Sequence, residues 1–339
     1  MLFRKAIVSW SRIRGHEHWV QAFADVVDRG RLAHAYLFAG PQGVGKKMFA
    51  EELTKTLLCE KPASKFAACD QCHSCVQVEA GTHPDVIRAA RPEDRVEFPI
   101  AVMRTVLEQM ALKPARGSHK IAIIDDADDL NEESANAFLK TLEEPPPNAL
   151  LILIATDPEG QLPTIVSRCQ VIRFQPLPVA NVVEILRQQG VEQAKSEQLA
   201  RLSGGSPGLA LGLADSALWE FRQKMVEQLA SARPNMVRLS KEWEAFVQEA
   251  GKDGGSQRRR SALCIDLLID VLDNAVQYSV GVEPLALPPQ EKAAVRTIAE
   301  RYGQQRLLEL VERCLEAKRH IDRMVQLVLA DEALLDAFA

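Results

Sequence analysis

Gly40-Pro41-Gln42-Gly43-Val44-Gly45-Lys46-Lys47 is the stretch on which the fold turns. It follows the short apolar run 36–39 and leads into an amphipathic segment at 47–58, so the order is strand, glycine loop, helix. The loop fits the phosphate-cradling pattern G-x-x-x-x-G-K-[ST] at every fixed position but the last. Gly40, Gly43 and Gly45 let the backbone curl until its N–H groups face an anion, and Lys46 can reach the outer phosphates. At the last position a hydroxyl would bind Mg²⁺. Lys47 brings an ammonium there instead, which offers no oxygen ligand and repels a dication.

Outward from the loop, strand and helix alternate as far as residue 174. Apolar runs at 36–39, 85–90, 120–125, 150–155 and 171–174 read as strands, and 99–111 and 131–144 as helices, the latter stopped by Pro145-Pro146-Pro147. Strands that are apolar throughout and alternate with helices predict an α/β core, a parallel sheet between helical layers. Ile121-Ala122-Ile123-Ile124-Asp125-Asp126 has the form of a Walker B strand, which delivers a carboxylate to Mg²⁺ beside the phosphate loop. Taken alone it is also an ordinary strand end or helix cap. Asp126 is one methylene shorter than the glutamate that usually polarises water at this place.

The chain has 339 residues, 47% hydrophobic and 26% charged, a globular balance that calls for two or three domains. A net charge of −5 gives no general attraction to nucleic acid. Arg258-Arg259-Arg260, after the glycine-rich break at 251–256, reads as a solvated helix start. The apolar run at 1–10 is too short for an export signal, and no stretch nears about 18 apolar residues, so no membrane partner is expected and the cytoplasm is.

Seven cysteines in a reducing compartment favour metal over disulfides. Cys59, Cys69, Cys72 and Cys75 have the spacing of a tetrahedral Zn²⁺ site, in which two-residue spacers let neighbouring thiolates converge on one ion. Buried free thiols or a redox Cys-x-x-Cys are the alternatives. Four sulfurs close the coordination shell, so such a zinc is structural, and His73 and His83 are not needed as ligands. Cys169, Cys264 and Cys314 sit in apolar or element-end contexts and read as inert. Ser167-Arg168-Cys169 precedes the strand at 171–174, where an arginine can simply pair with a nearby carboxylate. Beyond Pro176 the pattern is helical to the end, with stripes such as Leu263, Leu267, Leu268 and Val271.

The line His34-Ala35-Tyr36-Leu37-Phe38-Ala39-Gly40-Pro41, the cysteine insertion, Gly81-Thr82-His83-Pro84-Asp85, Asn136-Ala137-Phe138-Leu139-Lys140-Thr141-Leu142-Glu143-Glu144-Pro145-Pro146 and Ser167-Arg168-Cys169 together resemble the subunits of the bacterial DNA polymerase III clamp loader. The resemblance covers at least residues 15–210. It implies an AAA+ core at 1–176 with the Cys₄ module at about 59–80, a helical lid at 177–214 and a helical oligomerisation collar at 215–339. It also implies gamma/tau and delta subunits as partners in a pentamer, acting on the beta sliding clamp and primed DNA. The family's gamma/tau members hydrolyse ATP; another branch does not. Lys47, Asp126 and Gly208, which stands where a hydrolysing member keeps a phosphate-sensing arginine, sort this chain with the second branch, as does the absence of the long extension that tau carries. A catalytically active gamma-type ATPase is the alternative. By the resemblance, Arg168 is an arginine finger supplied in trans and Thr156 a sensor position with strand capping as its other reading. Gly40, Gly43, Gly45, Lys46, Lys47, Asp125 and Asp126 then form a degenerate ATP/ADP site.

Overall fold

The computed structural model describes residues 9–92, 95–284, 287 and 289–338. The reading of an N-terminal apolar run therefore lies mostly outside the described residues. The chain forms two compact units, residues 1–210 and 211–339.

In the first unit the five strands β1 (Ala35–Ala39), β2 (Val86–Ala89), β3 (Lys120–Ile124), β4 (Ala149–Ala155) and β5 (Gln170–Arg173) make one sheet in the order β2-β3-β4-β1-β5, every pairing parallel. The helices are α1 (Glu17–Asp28), α2 (Lys46–Leu58), α3 (His73–Glu79), α4 (Ile100–Met110), α5 (Glu132–Glu143), α6 (Pro163–Val166), α7 (Val179–Gln188), α8 (Gln193–Leu202) and α9 (Pro207–Gly212), the last crossing into the second unit. The strands expected from the apolar runs are all present, displaced by a residue or so at their ends.

Every residue of β1, β3 and β4 is buried, and side chains alternate between two faces. Leu37, Ala122, Ile124, Leu151 and Leu153 join Met103 and Val106 of α4 and Phe138 and Leu142 of α5 in one core. Tyr36 and Phe38 point the other way, where Phe23 of α1, Phe49 of α2 and Phe174 close an aromatic cluster with ring centroids 5.0–6.3 Å apart. A strand covered on both faces, as β1, β3 and β4 are, shows no alternation, whereas the edge strand β5 exposes Gln170 and Arg173. This is why the central strands read as continuous apolar runs.

Asp85, ahead of β2, is fully buried and collects the backbone N–H groups of Ala115, Arg116 and Gly117 at 2.6–2.8 Å, with Lys120 Nζ at 3.5 Å. Burial pushes its carboxyl up, but three N–H donors and the ammonium outweigh that and hold it below the usual range. Asp85 thus anchors the turn that feeds β3.

The second unit contains α10 (Ser216–Ala230), α11 (Met236–Gln248), α12 (Gly254–Ser279), α13 (Pro289–Asp322), broken at Gly303 with φ 68°, and α14 (Leu327–Asp336). Leu267, Leu268 and Val271 are buried, and Leu263 is partly so. Arg222, 1% exposed, pairs with Asp270 at 2.7 Å and with Glu291. The arginine triplet does begin a helix, yet it is not simply solvated. Arg258 donates to the Ile321 and Val325 carbonyls, and Arg260 lies 4.9 Å from the Phe246 ring. These long side chains close helix ends that a reading of charge alone leaves to water.

Because its folded-state value lies below that of the unfolded chain, Asp85 contributes stability at neutral pH, and that contribution is lost as pH falls through the folded-state value. Asp85→Asn should cost about 1–3 kcal/mol at pH 7, a difference that shrinks below pH about 4. Urea unfolding of both proteins across that range measures it.

Candidate functional site

Parallel pairing brings the carboxyl ends of the strands to one edge, where open α/β sheets hold their ligands. Ala39 pairs with Ala155, and Ile124 with Leu153, so Gly40, Thr156 and Asp125 emerge side by side. Thr156 and Asp125 border a cavity of about 300 Å³ with Gly43, Gly45, Lys46, Lys47 and the acids Asp126 and Asp128 around it. Six of the seven residues assigned to the degenerate nucleotide site line this cavity, and Gly40 is joined to them through its carbonyl, which accepts from Lys46 Nζ.

The loop's shape depends on positive φ at Gly40, Gly43 and Gly45: 152°, 76° and 105°. A Cβ on Gly40 would lie 2.2 Å from the Phe174 carbonyl oxygen, and one on Gly43 2.4 Å from Ser206 Oγ. Gly45 also ends the loop as the residue before α2. Lys46 is 6% exposed and donates to the Gly40 carbonyl and, at 2.8 Å, to that of Pro41. Burial pushes its ammonium below the ordinary lysine value, and the carboxylates of Asp128, Asp125 and Asp126 oppose the shift.

Lys47 Nζ lies 3.0 Å from Asp125 Oδ2, so the ammonium that replaces the metal-binding hydroxyl pairs with the carboxylate of the acidic strand end. Asp126, at φ 54°, is pushed up by burial and then by Asp125 beside it. Asp128 went unnoticed in the sequence. Its carboxylate accepts from Thr156 N at 2.6 Å and from Gln161 Nε2 at 3.0 Å, tying the end of β4 to the turn after β3. Thr156 thus serves as a strand cap through its backbone while lining the cavity.

Gly208 is not merely a missing arginine. Its N–H donates to the Gly43 carbonyl at 3.0 Å, and a Cβ there would lie 2.8 Å from Gly43 Cα. Ser206 Oγ donates to the Gln42 carbonyl at 2.8 Å, and His16 Nε2 to that of Val44 at 3.0 Å. Burial lowers the His16 pKa, which favours the neutral ring in that donor role. A lone serine or histidine far from the loop in sequence carries no local signal of such contacts.

Arg168 sits elsewhere. It follows α6 and precedes β5, so it lies at the amino edge of the sheet, at least a five-residue strand or about 16 Å from the loop's edge. Its guanidinium donates to Glu143 Oε1 at 2.5 Å and to the Thr164 carbonyl at 2.9 Å, so the simple carboxylate pairing is present. The Arg168 side chain is partly exposed and that of Glu143 exposed.

The fourth constellation is the cysteine insertion between α2 and β2. The four thiol sulfurs lie within 4.8 Å of one another, with Cys59–Cys72 and Cys69–Cys75 each at 4.0 Å. Sulfurs bound tetrahedrally at about 2.3 Å would stand about 3.8 Å apart, so the cluster fits a metal ion with little adjustment. Backbone N–H groups of Cys69, Cys72 and Cys75 point at the sulfurs of Cys59, Cys69 and Cys72 at 3.3–3.4 Å, stabilising negative sulfur. Burial pushes the Cys72 thiol up, yet N–H donors from Cys75 and Glu60 and the adjacent thiols bring it to about 7. His73 pairs with Arg116, and His83 with Ser74 and the Asp85 N–H, so both imidazoles are engaged elsewhere. Cys169 and Cys314 are pushed up to about 12 by burial, and Cys264 is raised for the same reason.

A glycine loop after β1, an acid after β3 and a polar cap after β4, on one edge of a five-stranded parallel sheet, define an α/β core of the phosphate-loop class. A family described as DNA polymerase III, delta subunit, matches residues 15–178. The chain is 32% identical over 334 residues to DNA polymerase III subunit delta' of Pseudomonas aeruginosa, covering 95% of this chain and 96% of that one. It is 26% identical over 302 residues to subunit delta' of Bacillus subtilis, covering 87% of each. To subunit tau of Escherichia coli it is 35% identical over 231 residues, which span 66% of this chain and 35% of that one. The chain belongs to the delta' family of DNA polymerase III subunits.

The backbone approach of Gly208 to Gly43 predicts that Gly208→Ala lowers stability by about 1–3 kcal/mol. Urea unfolding checks it, and an unchanged midpoint would show that α9 can give way.

Proposed function

We propose that this chain acts in DNA replication as the delta' member of the clamp loader, alongside gamma/tau and delta subunits in a pentamer that loads the beta sliding clamp onto primed DNA. The single observation that carries the mechanism is the position of Arg168. It stands at the sheet edge opposite the chain's own phosphate loop, partly exposed and paired with an exposed Glu143. A guanidinium placed there cannot serve the chain's own cavity, but it can reach a nucleotide held by an adjoining subunit. In that position it would stabilise charge on the transferred phosphoryl group. Glu143 would keep the side chain extended until the neighbouring phosphates compete for it.

The chain's own site supports no hydrolysis. Lys47 occupies the metal side of the loop on Asp125, and Gly208 leaves no arginine above the phosphates. The gamma-type ATPase reading would need Mg²⁺ bound between these groups, and they do not fit it. The division of the chain at residues 210 and 211 supports an AAA+ core and lid followed by a collar, with the lid at 177–214 and the collar at 215–339. No described helix is long and apolar enough to cross a membrane, which is compatible with work in the cytoplasm.

The metal of the Cys₄ cluster is Zn²⁺ in this reading, because four thiolates at tetrahedral spacing suit it and leave no open position for substrate. When bound, it supplies a cross-link. Cys59 ends α2 and Cys72 caps α3, so the ion would fix the insertion to the helix that follows the phosphate loop. Lys55 of α2 adds a second tie, pairing with Asp70 at 2.7 Å.

Two outcomes test these readings. Arg168→Ala should leave assembly intact while the ATP site it serves loses on the order of 10³–10⁵ in rate. Clamp- and DNA-stimulated ATPase of the reconstituted complex would fall at least by that site's share, and an unchanged rate removes the finger. Metal analysis of the purified chain should find about one zinc, and Cys72→Ser near none, with earlier thermal unfolding. A zinc content near zero in the unmutated chain overturns the site.

A further inference from the structure

The edge that carries the phosphate loop has a cradle that fits phosphate and a metal position that does not fit metal. The carbonyls of Gln42, Gly43 and Val44 are taken by Ser206 Oγ, Gly208 N and His16 Nε2 at 2.8–3.0 Å. In a trans peptide the N–H points opposite to the C=O. The N–H groups of Gly43, Val44 and Gly45 are therefore turned away from those three partners, as in an anion-binding nest. Lys46, nine-tenths buried, stands beside them at the cavity.

On the metal side, a hydroxyl at position 47 and the strand-end carboxylate would together bind Mg²⁺. Here the first is an ammonium, and it already pairs with the second at 3.0 Å. A dication would have to displace a bound cation from Asp125 and then lie against it, with one oxygen ligand fewer.

We propose that the Lys47 ammonium is the resident counter-cation of the loop, so that the chain binds a nucleoside di- or triphosphate without magnesium. The inference rests on the reading of this loop as non-hydrolytic and deepens it. Lys47 lines the same cavity as the loop, 3.0 Å from Asp125 and with 60% of its side chain exposed, so it can balance phosphate charge as a metal would. Unlike a metal it holds no water for attack, so binding is uncoupled from turnover.

The test is calorimetric titration of ADP and ATP into the full chain, once in EDTA and once with Mg²⁺, with ATP turnover measured on the same preparation. The expected result is saturable binding in EDTA, with affinity changed less than about threefold by magnesium, and no turnover. Lys47→Thr should make binding magnesium-dependent by about tenfold or more, and Lys47→Met should weaken binding in EDTA by about fivefold or more. Absence of binding in EDTA, or a tenfold gain from magnesium in the unmutated chain, overturns the proposal while leaving the non-hydrolytic reading in place. Magnesium-dependent turnover by the unmutated chain would instead sink that reading. Should one variant fail to fold, the comparison of the unmutated chain with and without magnesium still decides.

Discussion

The structure of the first unit depends on one constraint: five strands run the same way, and the three central ones are buried on both faces. Parallel pairing forces every connection to cross from one edge of the sheet to the other, and each crossing here carries helix. All strand exits gather at one edge and all strand entries at the opposite one. The loop after β1, the acids after β3 and Thr156 after β4 therefore meet without any contact between them in sequence. Arg168, which leads into β5, is excluded from that meeting by the same rule.

At the exit edge the electrostatics are settled within the chain. Lys46 is buried against loop carbonyls, Lys47 pairs with Asp125, and Asp128 is spent on the Thr156 N–H and Gln161. Burial and like charge raise Asp126 above the ordinary carboxylate range. At the entry edge Arg168 pairs with Glu143 near the surface, where such an ion pair is worth little and is readily exchanged. Each edge thus carries a cation paired within the chain, Lys47 on Asp125 at one and Arg168 on Glu143 at the other.

Much of this was legible in the chain. Continuous apolar runs marked the strands because burial on both faces removes alternation, and the glycines marked the loop because its φ values demand them. The cysteine spacing marked the cluster because two-residue spacers are what lets adjacent thiols converge. Other partners left no trace. His16, Ser206 and Asp128 act on backbone groups, and a donor to a carbonyl has no required spacing or motif. The arginine triplet misled for a related reason. Its charge suggested water, whereas carbonyls at helix ends and an aromatic face take up Arg258 and Arg260.

By itself the sequence determined the five strands and the helices at 47–58, 99–111 and 131–144, the loop and its defective last position, and the family to which the chain belongs. These are local properties, set by side-chain type, period and spacing along the chain. Tertiary structure alone decided that the ammonium of Lys47 rests on Asp125, that Gly208 touches Gly43, and that Arg168 stands at the far edge from both. Each is a relation between segments joined only through the sheet. A sequence names such charges and glycines, and only the packed strands fix the distances between them.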